Sequence, residues 1–302
     1  MSDGLEQLLN DPFIPFAAPL FLLAIAIEAL LSRRRQQELY DGRDFATSMS
    51  MLLLSVLVDL LPKVGAFVLF VALHELSPLR ELIVRQWWAW LLLFLLDDFL
   101  YYWFHRANHE VRLLWAGHVP HHSSLKLNFG TALRQGVGER VHKYLFWIPL
   151  PLLGFDPLMI FSMISLNLIY QFWVHTELVD RLPRWVEAVF NTPSHHRVHH
   201  ASNLRYLDRN HAGVLIIWDR LFGTFAAEVA TDPPVYGLTR NVDSFNPLTV
   251  AGGEYVHLFA DCARAERLGD KLRHLLLAPG WRHDGEDQRA DVRRARAAVQ
   301  LG

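Results

Sequence analysis

The sequence predicts an all-α, polytopic membrane protein. It would have about four to five membrane segments, one of them a helical hairpin, and a cytoplasmic histidine-rich helical cap. Three observations lead there. The 302-residue chain is 52% hydrophobic, with 10 Trp and 19 Phe, and this is more apolar than a soluble enzyme of its size. Apolar runs of near-bilayer length recur through the first 174 residues. Twelve of the 16 histidines crowd between positions 105 and 211, directly after those runs.

The bulk numbers also exclude function classes. A formal net charge of −2 gives no electrostatic footprint for nucleic acid. The single cysteine, Cys262, rules out an intramolecular disulfide and any Cys-ligated cluster. The N-terminal MSDGLEQLLNDP is acidic and has no basic n-region or cleavage site. No removable signal peptide is expected, so the first apolar segment should remain.

Taken in order, residues 13–31 are apolar apart from Glu28, and Arg33, Arg34 and Arg35 follow at once. That pattern places this end on the cytoplasmic side. Residues 46–73 form a second run, interrupted by Asp59, Pro62 and Lys63; residues 87–104 form a third, with Trp at its start and Tyr near its end. If 46–73 crosses once, His105 emerges on the cytoplasmic face; if Pro62 makes it a hairpin, His105 lands outside. A single crossing is expected, because reduced metal and electron donors are cytoplasmic. Residues 144–174 split at Gly154-Phe155-Asp156-Pro157 into arms of 11 and 17 residues, which read as a hairpin that dips in and returns. His142 and His175 flank it, so both histidine clusters should end on one face. Residues 1–260 are taken as the membrane domain and 261–302 as an arginine-rich cytoplasmic tail. The stretch from about 226 to 256 is expected to be loop.

The histidines carry the chemistry. His105 and His109 stand at i, i+4; His118, His121 and His122 at i, i+3, i+4, and so do His196, His199 and His200. On helices each set shares a face, and imidazole is a neutral metal donor at physiological pH. Three sets exceed the needs of one ion and suggest a two-metal site. No H-E-x-x-H occurs, which argues against a zinc protease. An imidazole-rich cage suits iron. A metal transporter or a metal-stabilised scaffold is the competing reading, but a transporter should carry ligands at the bilayer midplane. Here the clusters sit beyond the segment ends. Asp98, Tyr102, His105 and His109 form one helical stripe, so Asp98 is expected to orient a ligating histidine. Asp97 is expected to face headgroups, and Asp208 and Asp219 to pin the cap through Arg209 or Arg220.

These boxes, with Asp98, YYW at 101–103, HHSSLKLNFGTALR at 121–134, FWVHTE at 172–177, TPSHHRVHHASN at 192–203 and YLDRNHAGVLIIWDRLFGTFAAE at 206–228, resemble the fatty acid hydroxylase and sterol desaturase superfamily. The resemblance is dense over 87–230 and nearest to its alkylglycerol monooxygenase-like bacterial branch. It implies an integral-membrane, O2-dependent di-iron enzyme that hydroxylates or desaturates a membrane lipid: a sterol, an ether lipid or an acyl chain. It carries ligand roles onto His105, His109, His118, His121, His122, His196, His199 and His200, with His175 as a ninth. His195 is either a ligand or a donor to one, and His211 is either an extra ligand or a substituted packing residue; apart from the resemblance, Glu177, beside His175, is expected to act as Asp98 does. No redox-cofactor motif occurs in the chain, so the electron donor should be external: a tetrahydropterin or a small redox protein.

Overall fold

The structure is a computed structural model and describes residues 13–301; the acidic stretch at 1–12 lies outside the described residues. Helices account for all regular structure there. The β-type contacts among the described residues are the isolated bridges Phe190–Leu215, Ala201–Tyr236 and Val229–Asp232.

The first apolar run is helix α1, Phe13–Arg35. Its one acid, Glu28, is buried and ties three segments together. It accepts the Phe129 N–H at 2.7 Å and the hydroxyls of Tyr40 and Thr176. Helix α2, Gly42–Leu76, starts where the Asp41 carboxylate accepts the N–H groups of Arg43 and Asp44 at 3.0 and 2.9 Å. It runs unbroken through Pro62, so the hairpin alternative at that proline does not occur. Its 35 residues rise about 52 Å, longer than the ~30 Å hydrocarbon core. Its first turn therefore reaches the cap, where Arg134 pairs with Asp44 at 2.8 Å. Helix α3, Trp87–Glu110, returns to the same end.

Among the described residues, two helices are long and apolar enough to cross a membrane: Phe16–Arg35 within α1, and α2. The 87–104 run falls short of the sequence expectation because Trp, Tyr and the Asp97-Asp98 pair lower its hydropathy. Both aspartates are buried. Asp97 does not face headgroups; it accepts Trp147 Nε1–H at 2.7 Å and the Asn167 amide at 2.9 Å.

The chain turns back within 144–174 at the expected point, but its first arm is not one continuous helix. Pro149 and Pro151 cannot support a continuous helix, so the first arm is a 3-10 turn, Lys143–Trp147, followed by the short turn Pro149–Leu152. Gly154 turns the chain at φ +92°, and a Cβ there would meet the Leu79 backbone at 2.7 Å. Asp156 then caps helix α5, Pro157–Trp173. Phe67, Phe70, Leu93, Trp147, Phe155 and Ile160 form the core joining these segments to α2 and α3.

The cap contains α4 (Arg112–His122), α6 (Arg184–Val189), α7 (Pro193–His199) and α8 (Ile217–Leu221). Part of the expected loop is instead helix α9, Pro247–Arg264, which runs across the anticipated 260/261 boundary. It is followed by α10, Leu268–Leu276, and α11, Ala290–Leu301. Arg112 at the start of α4 pairs with Glu254 and Asp261 of α9 at 2.8 and 2.7 Å, so this tail is anchored on a histidine-bearing helix.

Candidate metal centre

Nine buried histidines converge where α3, α4, α5 and α7 end. They form two groups whose nearest ring nitrogens all lie within 4.8 Å of one another. One group holds His105, His109, His118, His122 and His199; the other holds His121, His175, His196 and His200. The partition follows helical phase. Residues at i, i+4 stay together, as in 105/109, 118/122 and 196/200. His121 and His199 are offset by about 100° from their sequence neighbours and join the opposite group. The three sequence sets are therefore not three faces of one site.

In the five-histidine group the His109 ring packs against the other four at centroid separations of 4.8–5.3 Å. Those four close a circuit in the order His105, His118, His122, His199 at 4.4–5.0 Å. The arrangement is a square pyramid with His109 at its apex. In the four-histidine group, His175 and His200 each pack on both His121 and His196 at 4.0–5.1 Å, and on each other at 5.1 Å. The groups abut, with His122 stacked on His200 at 4.4 Å.

Ring orientation is fixed from outside. The Nδ1–H groups of His105, His121, His175 and His199 donate to the carbonyls of His211, Arg134, Gln171 and Arg209 at 2.7–3.1 Å, which leaves each Nε2 as the bare donor. His118 Nδ1 meets Glu139 Oε2 at 2.7 Å, and His109 Nδ1 meets Asp208 Oδ1 at 3.3 Å. The Nε2 atoms then face one another. His118 lies 3.1 Å from both His105 and His122, His175 lies 3.2 Å from His121 and 2.8 Å from His196, and His196 lies 3.1 Å from His200. Nε2 of His109 and of His199 is buried without a hydrogen-bond partner. Two nitrogens each ~2.1 Å from one ion stand about 3.0 Å apart at right angles and about 3.4 Å apart at the tetrahedral angle. The observed spacings match the first. Residues of this kind fit six-coordinate iron better than a tetrahedral zinc site.

Electrostatics agree with a metal cage. Burial, then the neighbouring rings, holds His121, His122, His196, His199 and His200 well below the ordinary imidazole range; burial takes His175 down to about 4. All are neutral donors at pH 7. Burial alone would raise the Glu139 carboxyl, but its hydrogen bond with His118 and the Arg140 charge hold it below the usual carboxylate range. Glu139 is thus an anion against a ligating ring, an arrangement that raises ligand basicity. Close packing seats it, since a Cβ on Gly117 would lie 2.6 Å from the Glu139 nitrogen.

Several predicted residues take other positions. His195 enters neither group; its ring lies against Phe225 at 5.5 Å and its Nδ1 is 3.4 Å from Thr192 Oγ1. Asp98 touches no histidine. It accepts the N–H groups of Val214 and Leu215 at 2.7 and 2.9 Å and the Trp218 indole at 2.9 Å, so it clamps the segment whose His211 carbonyl holds His105. Glu177 faces the Tyr236 phenol and the Leu127 amide rather than His175. Asp219 accepts the N–H groups of His211 and Ala212, both at 2.8 Å, instead of pairing with an arginine. His211 is buried with both ring nitrogens unpartnered. Its ring lies 5.0 Å from that of the apical His109, outside both groups. Sequence reasoning missed Glu139 and assigned Asp208 to pinning the cap rather than to His109. Glu139 had one usable signal, as the sole acid between His122 and the hairpin turn at Asp156.

Comparison with known proteins supplies the lineage. The family described as fatty acid hydroxylase matches residues 90–224, which carry all nine converging histidines. Alkylglycerol monooxygenase of Danio rerio is 40% identical over 275 residues, covering 89% of this chain and 60% of the relative. The Homo sapiens protein of that name is 42% identical over 271 residues, covering 88% and 58%. Ornithine lipid hydroxylase of Rhizobium tropici is 32% identical over 185 residues, covering 60% and 53%. The chain spans about three fifths of the length of the first two relatives. No solved structure matches. The histidine boxes all lie inside the segment that matches the fatty acid hydroxylase family.

Proposed function

We propose that this protein is an O2-dependent, di-iron hydroxylase of a membrane lipid, with ether-linked or acyl-chain lipids as its substrate class. The observation that carries the reading is the pair of abutting, all-imidazole groups with Nε2 atoms 2.8–3.2 Å apart. Bound there, two ferrous ions would supply the means to reduce O2 and attack an unactivated C–H bond. Hydroxylation is preferred to desaturation because the relatives are named monooxygenases and hydroxylases.

The chain's own residues do the remaining work. His105, His109, His118, His122 and His199 would hold one ion, and His121, His175, His196 and His200 the other. The backbone carbonyls of His211, Arg134, Gln171 and Arg209 keep four of those rings aimed inward without adding charge. Glu139 and Asp208 make their carboxylate contacts with the five-histidine group, through His118 and His109. With every ring nearly sealed from solvent, the cage excludes bulk water, as oxidation of a C–H bond requires. Electrons would come from an external donor, a tetrahydropterin or a small redox protein.

Topology supports a multi-pass enzyme with its centre on the cytoplasmic face. Asn128 of the cap donates to the Leu39 carbonyl between α1 and α2 at 2.6 Å, so the Arg33–Arg35 end lies on the side of the histidines. The far end of α2 instead meets the hairpin turn, with Ser77 donating to the Leu152 carbonyl at 2.7 Å. On this reading α1, α2 and α3 cross, the 144–174 hairpin dips, and the positive-inside bias sets the orientation.

The test is metal analysis of detergent-purified protein, with O2 uptake measured on alkylglycerol and acyl lipids. Two irons per chain, with lipid gaining one oxygen by mass spectrometry, is the expected result. Stoichiometric zinc with no O2 consumption under either class of reductant would overturn the reading.

A further inference from the structure

The cap carries an apolar surface that none of the cage chemistry uses. On α6, Trp185 is 73% exposed and Val189 and Phe190 are exposed beside it; on α8, Leu221 is 70% exposed and Ile217 is exposed. These helices are neighbours. Arg220 Nη2 donates to the Glu187 carbonyl at 3.1 Å, and Phe190 bridges to Leu215. The patch is also continuous with α3, because Trp218 packs on Phe99 at 5.3 Å and Phe222 on Trp103 at 5.0 Å. From there the exposed side chains of Leu95, Leu92 and Leu91 continue along α3.

Charge borders the patch. Arg181, Arg184 and Arg220 are exposed; among the described residues none forms an ion pair with a carboxylate, although Arg181 donates to the Glu228 carbonyl and the Arg220 guanidinium lies over the Phe225 ring. Exposed Trp and Leu beside exposed guanidinium groups whose charge no carboxylate neutralises is the pattern of a surface that lies in the lipid headgroup region, with aromatic rings at the acyl boundary and cations on phosphates. Soluble surfaces seldom leave such a patch bare.

We propose that α6 and α8 form a ledge resting in the bilayer interface, seating Trp185 and Leu221 among lipid chains and the three arginines on lipid phosphates. The inference rests on the reading that the protein is membrane-embedded. The ledge runs through Phe190 to Asn191 and Thr192 and directly into α7, which carries His196 and His199. Docking it would therefore set the height of that histidine helix above the lipid.

Depth-dependent quenching tests this. On a Cys262→Ser background, Trp185→Cys, Leu221→Cys, Leu57→Cys and Arg267→Cys would each be labelled with an environment-sensitive fluorophore. The proteins would be placed in nanodiscs of anionic phospholipid containing a spin-labelled quencher. Leu57 on α2 reports membrane embedding, and Arg267 reports the exposed tail. Quenching at 185 and 221 about threefold or more above that at 267 is expected for interfacial insertion. Quenching at 57 with none at 185 and 221 would overturn the ledge alone. No quenching at 57 would remove the membrane reading, and the ledge with it. Protection at 185 and 221 from both lipid quencher and aqueous iodide would assign the patch to a second protein copy and overturn the proposal.

Discussion

The two histidine groups share a wall yet are built differently. The five-histidine group is a square pyramid in which two rings lean on carboxylates, His118 on Glu139 and His109 on Asp208. The four-histidine group contains no carboxylate contact; His121 and His175 rest on backbone carbonyls. A carboxylate partner makes an imidazole a stronger donor than a carbonyl partner does. An ion bound in the first group would therefore be the more tightly held. The second would offer fewer protein donors to an ion bound there. The difference arises from where each ring's outer nitrogen lands, since the ring chemistry is identical.

The sharpest way to break that comparison uses adjacent residues. His199→Ala should strip the ion of the five-histidine group and His200→Ala that of the four-histidine group, though the two are sequence neighbours. Each variant should retain about one metal per chain and lose turnover by roughly a hundredfold or more. Metal analysis paired with activity measures this. Loss of the same ion in both variants would erase the distinction between the groups.

A smaller effect sharpens it. Glu139→Gln keeps the shape and removes the anion against His118. Affinity at the five-histidine group should fall about 10- to 100-fold, with the other group unchanged, as read by competitive chelation. Asp208→Asn should cost less than about tenfold, because its contact to His109 is 3.3 Å long and its side chain is 30% exposed.

Much of this was legible in the sequence, but unevenly. The i, i+4 spacings identified which rings travel together, and the apolar runs identified α1 and α2. What was not legible depends on long-range closure. Asp98 was expected to orient a ligating histidine because it shares one α3 stripe with His105 and His109. Its hydrogen bonds go instead to Val214, Leu215 and Trp218, more than a hundred residues away, and no local pattern announces that. His195 stands beside His196 in the third box, yet helical phase turns its ring outward to Phe225. Glu28 looked like a flaw in an apolar run, but it holds three segments together. Removing its side chain's partners is the kind of loss that costs about 1–3 kcal/mol for each polar group left unsatisfied.

Acid should act gradually. In the metal-free protein, burial keeps His175 at about 4, while the same residue in the unfolded chain titrates near 6.5. The unfolded state then binds more protons as pH drops, so stability is full above about pH 6.5 and declines toward pH 4. A group shifted that far contributes roughly 3 kcal/mol to the decline. Glu139, held below the usual carboxylate range, stabilises above its unfolded value near 4.5 and loses that contribution as pH falls further. Thermal melts of the apo-protein between pH 7.5 and pH 4 should show a steady fall. A flat profile would mean the rings are not held neutral by burial.

The most direct test of the two-group account is the Mössbauer spectrum of the fully iron-loaded ferrous protein. Five imidazoles with carboxylate support and four without should give two distinct quadrupole doublets of equal area, with two irons per chain. A single symmetric doublet, or one iron per chain, would contradict it.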